Sequence, residues 1–259
     1  MGDDGLPISK HLEELRIRIV RITVVIIIIA VMNITLTVRF TTFNDIMIPY
    51  LYPEPMSSIS IQVINYMSKT LVPDNARLVQ LVPGEAFFAQ LQVSIILAAV
   101  FAMPIIIREV ALFIGPALYY DERRIVKSIT LPALALFSSG CIFSYFVIIP
   151  FILEFLYRYG DALAIQTFLS INEFINFVLQ FMLAFGISFL LPMVMWFMSK
   201  SDMVDPAFWR RNIRYAIVVI ALFGAIITPD GSGITMWFVA LPLVALYAIG
   251  MLVVERKLS

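Results

Sequence analysis

The stretch Ser9-Lys10-His11-Leu12-Glu13-Glu14-Leu15-Arg16-Ile17-Arg18-Ile19-Val20-Arg21 is dense in charge, and it runs without a break into residues 22–38, which hold no charged side chain. A charged helical turn joined directly to a membrane-length apolar run is a membrane entry point. The side of the membrane on which it lies fixes the topology of everything downstream.

Composition agrees with that start. The chain has 259 residues, is 61% hydrophobic and 14% charged, and has a mean hydropathy of +0.95. A soluble domain carries about 25% charged residues, so this is the composition of an integral membrane protein. The net charge of zero is uninformative about partners; the distribution of charge is not. A single cysteine, Cys141, excludes an internal disulfide and a cysteine metal cluster, and a single histidine, His11, leaves few catalytic arrangements. The first apolar run is too long for a signal-peptide core and no small-residue cleavage site follows it, so it is expected to remain as a span.

Working outward, a span needs about 20 apolar residues. Six uncharged runs qualify or nearly do: 22–38, 86–107, 128–153, 174–199, 215–229 and 231–254. They are too long for strands and lack strand alternation, so helices are expected. The expected fold is an all-α integral membrane protein, a concave bundle of six transmembrane helices with spans five and six short. The spans fall near 17–38, 86–108, 126–150, 173–199, 212–228 and 234–254. With both termini placed in the cytoplasm, fourteen of the eighteen Lys and Arg residues lie inside. Only Arg39, Lys69, Arg77 and Arg158 lie outside, a strong positive-inside bias. The cytoplasmic loops are then 109–125 and 200–211, and the outer loops 39–85, 151–172 and 229–233.

Helix starts fit this layout. Ser170-Ile171-Asn172-Glu173 has the form of a capping box opening span four. Asp205-Pro206 is an N-cap with proline at the first helical position, and Pro83-Gly84 punctuates the entry to span two. In the first outer loop, Pro49, Pro53 and Pro55 predict irregular chain. Ile64, Met67 and Leu71 form a helical stripe that lies on the membrane surface or caps the bundle. The second outer loop is expected to open on an aromatic-rich turn containing Phe151, Phe155, Tyr157 and Tyr159.

The charged groups that can carry chemistry are few. Glu13 and Glu14 open span one, and Asp121 and Glu122 lie beside Arg123 and Arg124 in the first cytoplasmic loop. A guanidinium binds carboxylate bidentately, so two acids on one face can read a pair of arginines. The alternative is local pairing, Glu14 with Arg18 at i,i+4 and Glu122 with a neighbouring arginine. No acid or base falls within an uncharged run, as a proton or ion path would require. The amides there (Asn33, Gln90, Gln92, Asn176, Gln180) read as helix–helix hydrogen bonding. Pro104, Pro132, Pro192 and Pro242 lie within spans and predict kinks. Cys141 reads as packing.

The ordered set of motifs resembles the TatC family, the multi-spanning core of the twin-arginine protein translocase. His11-Leu12-Glu13-Glu14-Leu15-Arg16 resembles the family's N-terminal HLxELR signature. Phe87-Phe88, Pro104, Phe113-Ile114-Gly115-Pro116-Ala117-Leu118-Tyr119 and Glu122-Arg123-Arg124 resemble span two and the first loop. Phe143-Ser144-Tyr145-Phe146 with Pro150, Phe185-Gly186-Ile187-Ser188-Phe189 with Pro192, Thr228-Pro229-Asp230 and Leu241-Pro242 follow in order.

The resemblance implies a receptor in the cell membrane for the twin-arginine signal peptides of folded proteins, driven by proton-motive force, with no cofactor and no nucleic acid partner. It implies a signal-peptide patch of Glu14, Arg16, Phe113 and Glu122, and assembly or transport roles for Pro49, Pro104, Tyr145 and Asp230. The partners implied are single-span TatA-type and TatB-type proteins, further copies of the chain and the lipid bilayer. One departure is visible: Leu190 stands where many members carry a span-four glutamate two residues before the proline, and Gln180, about three turns away along the same span, is the polar candidate to replace it. The competing readings are a secondary transporter of a small solute, which wants intramembrane ionisable groups or inverted repeats, and an intramembrane enzyme, which wants a nucleophile and base at one depth. Neither set of features is present in the sequence.

Overall fold

A computed structural model describes residues 8–43, 46–73, 76–114, 122–162, 168–201, 203–228 and 233–258. The helices are α1 (Ile8–Thr35), α2 (Ile59–Leu71), α3 (Glu85–Ile114), α4 (Glu122–Phe143), α5 (Ile149–Ala162), α6 (Ile171–Ser188), α7 (Leu191–Lys200), α8 (Pro206–Arg211), α9 (Ile213–Ile227) and α10 (Gly233–Leu258). Two short strand pairs join them: β1 (Leu36–Phe43) with β2 (Ile46–Pro53), and β3 (Arg77–Val79) with β4 (Phe168–Ser170). Five helical stretches are long and apolar enough to cross a membrane: Leu12–Thr35, Glu85–Val110, Thr130–Arg158, Ile171–Lys200 and Gly233–Arg256. Ile213–Ile227 is a shorter apolar helix.

The chain folds as two compact units. The first comprises Met1–Val72, Leu78–Leu131 and Ser170–Ile175; the second comprises Pro73–Arg77, Pro132–Leu169 and Asn176–Ser259.

In the first unit α1 runs antiparallel along α3. Arg18 meets Glu109 near one end, and Asn33 Nδ2 donates to the Ser94 carbonyl (3.3 Å) near the other. The α3 face turned inward is built of small residues, with Ala89, Val93, Ala98 and Ala102 all buried. Small side chains let helix backbones approach closely, which matters where lipid removes the hydrophobic drive for helices to associate. Gly84, at φ +88°, makes the left-handed turn into α3 that an L side chain resists. α2 buries the anticipated stripe of Ile64, Met67 and Leu71. It is tied to its neighbours by Ser60 Oγ donating to the Asn33 carbonyl (3.2 Å) and Gln90 Nε2 donating to Ser58 Oγ (3.0 Å). It therefore caps the α1–α3 pair.

Four expectations are corrected here. The first outer loop does not open on irregular chain: α1 stops at Thr35 and residues 36–53 form an antiparallel hairpin, with Phe40 opposite Pro49 and Leu36 opposite Pro53. In a two-stranded ribbon each strand has an unpaired edge, and proline is tolerated there. The expected aromatic turn at 151–159 is helix α5, joined to α4 by the π-helical turn Ser144–Ile148. Proline 150 has no N–H to give the preceding turn, and the Ile149 N–H reaches back five residues to the Ser144 carbonyl. Of the last two spans only the fifth is short: α9 has 15 residues, but α10 has 26. Glu255, Arg256 and Lys257 are good helix formers, so charge ends the apolar run without ending the helix. Half of the capping box is present: Ser170 Oγ accepts from the Glu173 N–H (3.4 Å) and its hydroxyl donates to Glu85, while among the described residues no bond returns from the Ser170 N–H to the Glu173 carboxylate.

The second unit is held by glycines at helix crossings. A Cβ on Gly140 would sit 2.5 Å from the Phe185 carbonyl oxygen and 2.9 Å from Gly186 Cα, so α4 and α6 touch backbone to backbone. Phe137, Phe181 and Phe185 are buried beside that contact. Asp205 caps α8 as anticipated, accepting from the Ala207 N–H (2.9 Å). Trp209 in α8 donates to Ser199 Oγ and accepts from Tyr247 Oη, each at 2.8 Å, which fixes α8 to α7 and α10.

Candidate functional site

The charged entry helix and the last turns of α3 make one constellation. Glu14, Arg18 and Arg21 lie at i, i+4 and i+7, one face of α1. Opposite them α3 presents Glu109, whose side chain is fully enclosed. An isolated buried carboxylate is costly unless paired and hydrogen-bonded. Here both oxygens are taken: Oε2 accepts from Arg18 Nη1 (3.1 Å) and Oε1 from Arg21 Nη1 (2.8 Å).

Arg18 is the hub. Its Nε donates to Glu14 Oε1 (3.1 Å), and its Nη2 contacts that same oxygen. The remaining donors reach the main-chain carbonyls of Glu109 (3.4 Å) and Leu112 (3.3 Å). The expected local pairing of Glu14 with Arg18 is therefore present, but as one arm of a larger network. Burial is graded through it: the side chains of Arg18, Glu14 and Arg21 are 16%, 35% and 54% exposed. Glu14 is the acid that solvent, and any incoming cation, can reach. Two acids and two arginines leave the cluster formally neutral. Phe113 lies one turn past Glu109, at i+4 on α3, and is half-buried.

With that geometry in hand, comparison with known proteins gives a consistent answer. A family profile described as "Sec-independent protein translocase protein (TatC)" matches residues 10–242. The chain is 45% identical over 249 residues to the TatC protein of Cenarchaeum symbiosum, covering 96% of this chain and 94% of that one. It is 32% identical over 247 residues to the TatC protein of Aquifex aeolicus, covering 94% and 92%. A crystal structure described as the twin-arginine translocase receptor TatC superposes with a TM-score of 0.78 at 28% identity, covering 95% of this chain and 98% of that one.

The chain belongs to the TatC family. It is a membrane protein and a component of the Sec-independent protein translocase, not an enzyme. The transporter alternative has no support from these relatives. Among the described residues no group of His, Cys, Asp and Glu side chains is placed to hold a metal ion.

The residues that the TatC resemblance singles out are placed unevenly. Glu14 is a member of the network just described, and Phe113 lies one turn past Glu109 on α3. Arg16 is exposed, two residues and so about 200° around α1 from Glu14; it is not in the network. Glu122 is the first residue of α4, but its side chain lies outside the described residues, as does that of His11. Asp230 and residues 115–121 also lie outside them.

Pro49 is exposed on β2 and pairs across to Phe40. Pro104 is half-buried inside α3. Tyr145 is buried in the π turn with its ring 5.1 Å from that of Phe146, edge to face. Gln180 is exposed on α6, and Leu190 sits at the break between α6 and α7.

Sequence reading missed Glu109, the most enclosed acid of the described chain. Following an uncharged run, it reads from sequence as the first residue of the 109–125 loop. The available signal was the pair Arg18 and Arg21, three residues apart on the face of a membrane helix, which requires an acid opposite.

Proposed function

We propose that the protein is the receptor that captures twin-arginine signal peptides of folded proteins on the cytoplasmic side of the membrane, with Glu14 as the primary acceptor. The observation that carries this reading is the state of Glu14. It is the half-exposed acid of the α1 face, and it already accepts a guanidinium through two donors, Nε and Nη2. Both donors meet one oxygen, Oε1; a guanidinium that takes both oxygens makes the bidentate pairing that distinguishes arginine from lysine.

Glu122 is the second acceptor in this proposal, with Phe113 covering the peptide's apolar flank and Arg16 contributing to the patch. Pro49, Pro104, Tyr145, Gln180 and Asp230 serve assembly and transport. The receptor organises TatA-type and TatB-type single-span partners and further copies of itself, and transport draws on proton-motive force.

Site-specific crosslinking from position 14 to a labelled twin-arginine peptide in membranes tests it, with a twin-lysine peptide as control. The expected result is a crosslink that the lysine peptide does not give, and binding that Glu14→Ala or Glu122→Ala weakens at least tenfold for the arginine peptide and much less for the lysine one. Equal losses for both peptides refute arginine reading at these acids.

A further inference from the structure

The α1–α3 network contains two arginines in the place where a ligand with two arginines is to bind. Arg18 holds Glu14 Oε1 through two donors, and a peptide arginine that is to pair with both oxygens of that carboxylate needs Oε1 as well. We propose that Arg18 is an internal competitor for the Glu14 carboxylate, and that Glu109 is the positioning residue that receives Arg18 when a peptide arginine displaces it. This rests on the reading of Glu14 given above and adds the residues that set its affinity.

Three observations carry the inference. Arg18 is doubly anchored, so losing Glu14 does not strand it. Its Nη1 keeps the Glu109 carboxylate, and its amino groups keep the carbonyls of Glu109 and Leu112. Glu109 is fully enclosed and held as well by Arg21, so it stays in place while Arg18 exchanges. The four side chains of the cluster are formally neutral together at rest, so the pull on an incoming arginine comes from the half-exposed Glu14 carboxylate itself. The exchange is of one guanidinium for another on one acid, with no charge buried or released alone.

Competition and charge act in the same direction within each of two variants, and the two variants are expected to move in opposite directions. Arg18→Gln removes the competitor and leaves the cluster one negative charge in excess, with Glu109 still paired to Arg21. Peptide binding tightens. Glu109→Gln leaves the cluster one positive charge in excess and leaves Arg18 with Glu14 as its sole carboxylate. Peptide binding weakens. A purely structural role for the network would instead weaken binding in both variants, because both disrupt the same α1–α3 contact. Simple competition also leaves the arginine-to-lysine preference unchanged, since removing an occupant raises the affinity of every ligand for the freed acid by one factor.

The experiment is fluorescence anisotropy with a dye-labelled synthetic twin-arginine peptide and its twin-lysine counterpart. The full-length protein is held in nanodiscs of phosphatidylethanolamine and phosphatidylglycerol at low salt. Arg18→Gln is expected to lower Kd at least threefold for both peptides, and Glu109→Gln to raise it at least threefold. Arg18→Lys keeps the charge but cannot bridge both carboxylates, and is expected to tighten binding by a smaller factor. It also serves if the glutamine variant is too poorly folded to assay.

Glu14→Ala separates the two levels of the argument. If it abolishes binding while Arg18→Gln and Arg18→Lys bind no tighter than the parent, Glu14 is the acceptor and the competitor idea falls alone. If it leaves binding intact, the Glu14 reading falls and takes the competitor with it. In the Glu14→Ala background, Arg18→Gln must produce no tightening; a gain there overturns the proposal.

Discussion

Helix α3 carries a glutamate at each end, and the two are satisfied in opposite ways. Glu85, in the first turn, accepts only from neutral donors: the Ser170 hydroxyl and the backbone N–H groups of Leu81 (2.7 Å), Val82 (3.3 Å) and Asn172 (3.3 Å). Glu109, near the last turn, accepts from two guanidinium groups. Backbone donors belong to the chain at that point and cannot be replaced by another molecule. Side-chain cations can be, because a ligand can bring the same group. The Glu85 end is a clasp between the starts of α3 and α6, and the Glu109 end is held by groups of the kind a basic peptide also carries.

The difference can be broken or sharpened by removing each acid. The largest effect is expected at Glu109→Ala, which leaves Arg21 without its carboxylate and Arg18 with Glu14 alone. Removing one member of a buried ion network costs about 3–5 kcal/mol. With Arg21 more than half exposed, about 3 kcal/mol is expected, read as a lowered midpoint of thermal unfolding in detergent. Glu85→Ala should cost less in the same assay, because the N–H groups of Leu81 and Val82 can turn to water. Its loss should be the same at low and high salt, since no ion pair is broken; a salt-dependent loss would erase the distinction.

Ser170→Ala removes both the α6 cap and one donor to Glu85, for about 1 kcal/mol. The smallest effect belongs to a third acid, Glu54, exposed on the hairpin side. A hydrogen bond from Ser57, then the pairing with Arg39 (2.5 Å), lowers its pKa from 4.5. A depressed carboxylate stabilises the fold above its unfolded pKa and loses that contribution as pH falls through the folded value. Titration of the Glu54 carboxyl by NMR should therefore give a midpoint below 4.5. Unfolding midpoints should barely move, because exposed ion pairs contribute little.

What could be read from the chain alone follows from how local the cause is. The apolar runs, the Asp205 cap, the glycine turn into α3 and the Ile64-Met67-Leu71 stripe are each set by neighbours within a few residues, and each is present in the fold. The hairpin is not legible because Pro49, Pro53 and Pro55 read as breakers, although the β-branched and aromatic residues in Leu36–Phe43 carry a strand signal. The α5 helix was missed because Pro150 marks a boundary in most helices; here a single π turn absorbs it. At the candidate site Glu14 and Phe113 were legible from their motifs, and the Glu14–Arg18 pair from its i,i+4 spacing. Glu109 was not, because its partners lie 88 and 91 residues away in sequence.

The π turn at Ser144–Ile148 also sets the angular phase of everything after it. Each residue advances an α-helix by 100°, and a π turn accommodates one residue more than an α turn. The side chains of α5 therefore stand about 100° out of step with those of α4. That offset puts Phe151 and Phe155 against Phe238 of α10, with ring centroids 4.6 and 5.6 Å apart. Deleting a single residue within 144–148 would straighten the helix and swing both rings off that partner, so the insertion works as a vernier that couples the length of one helix to the packing of another.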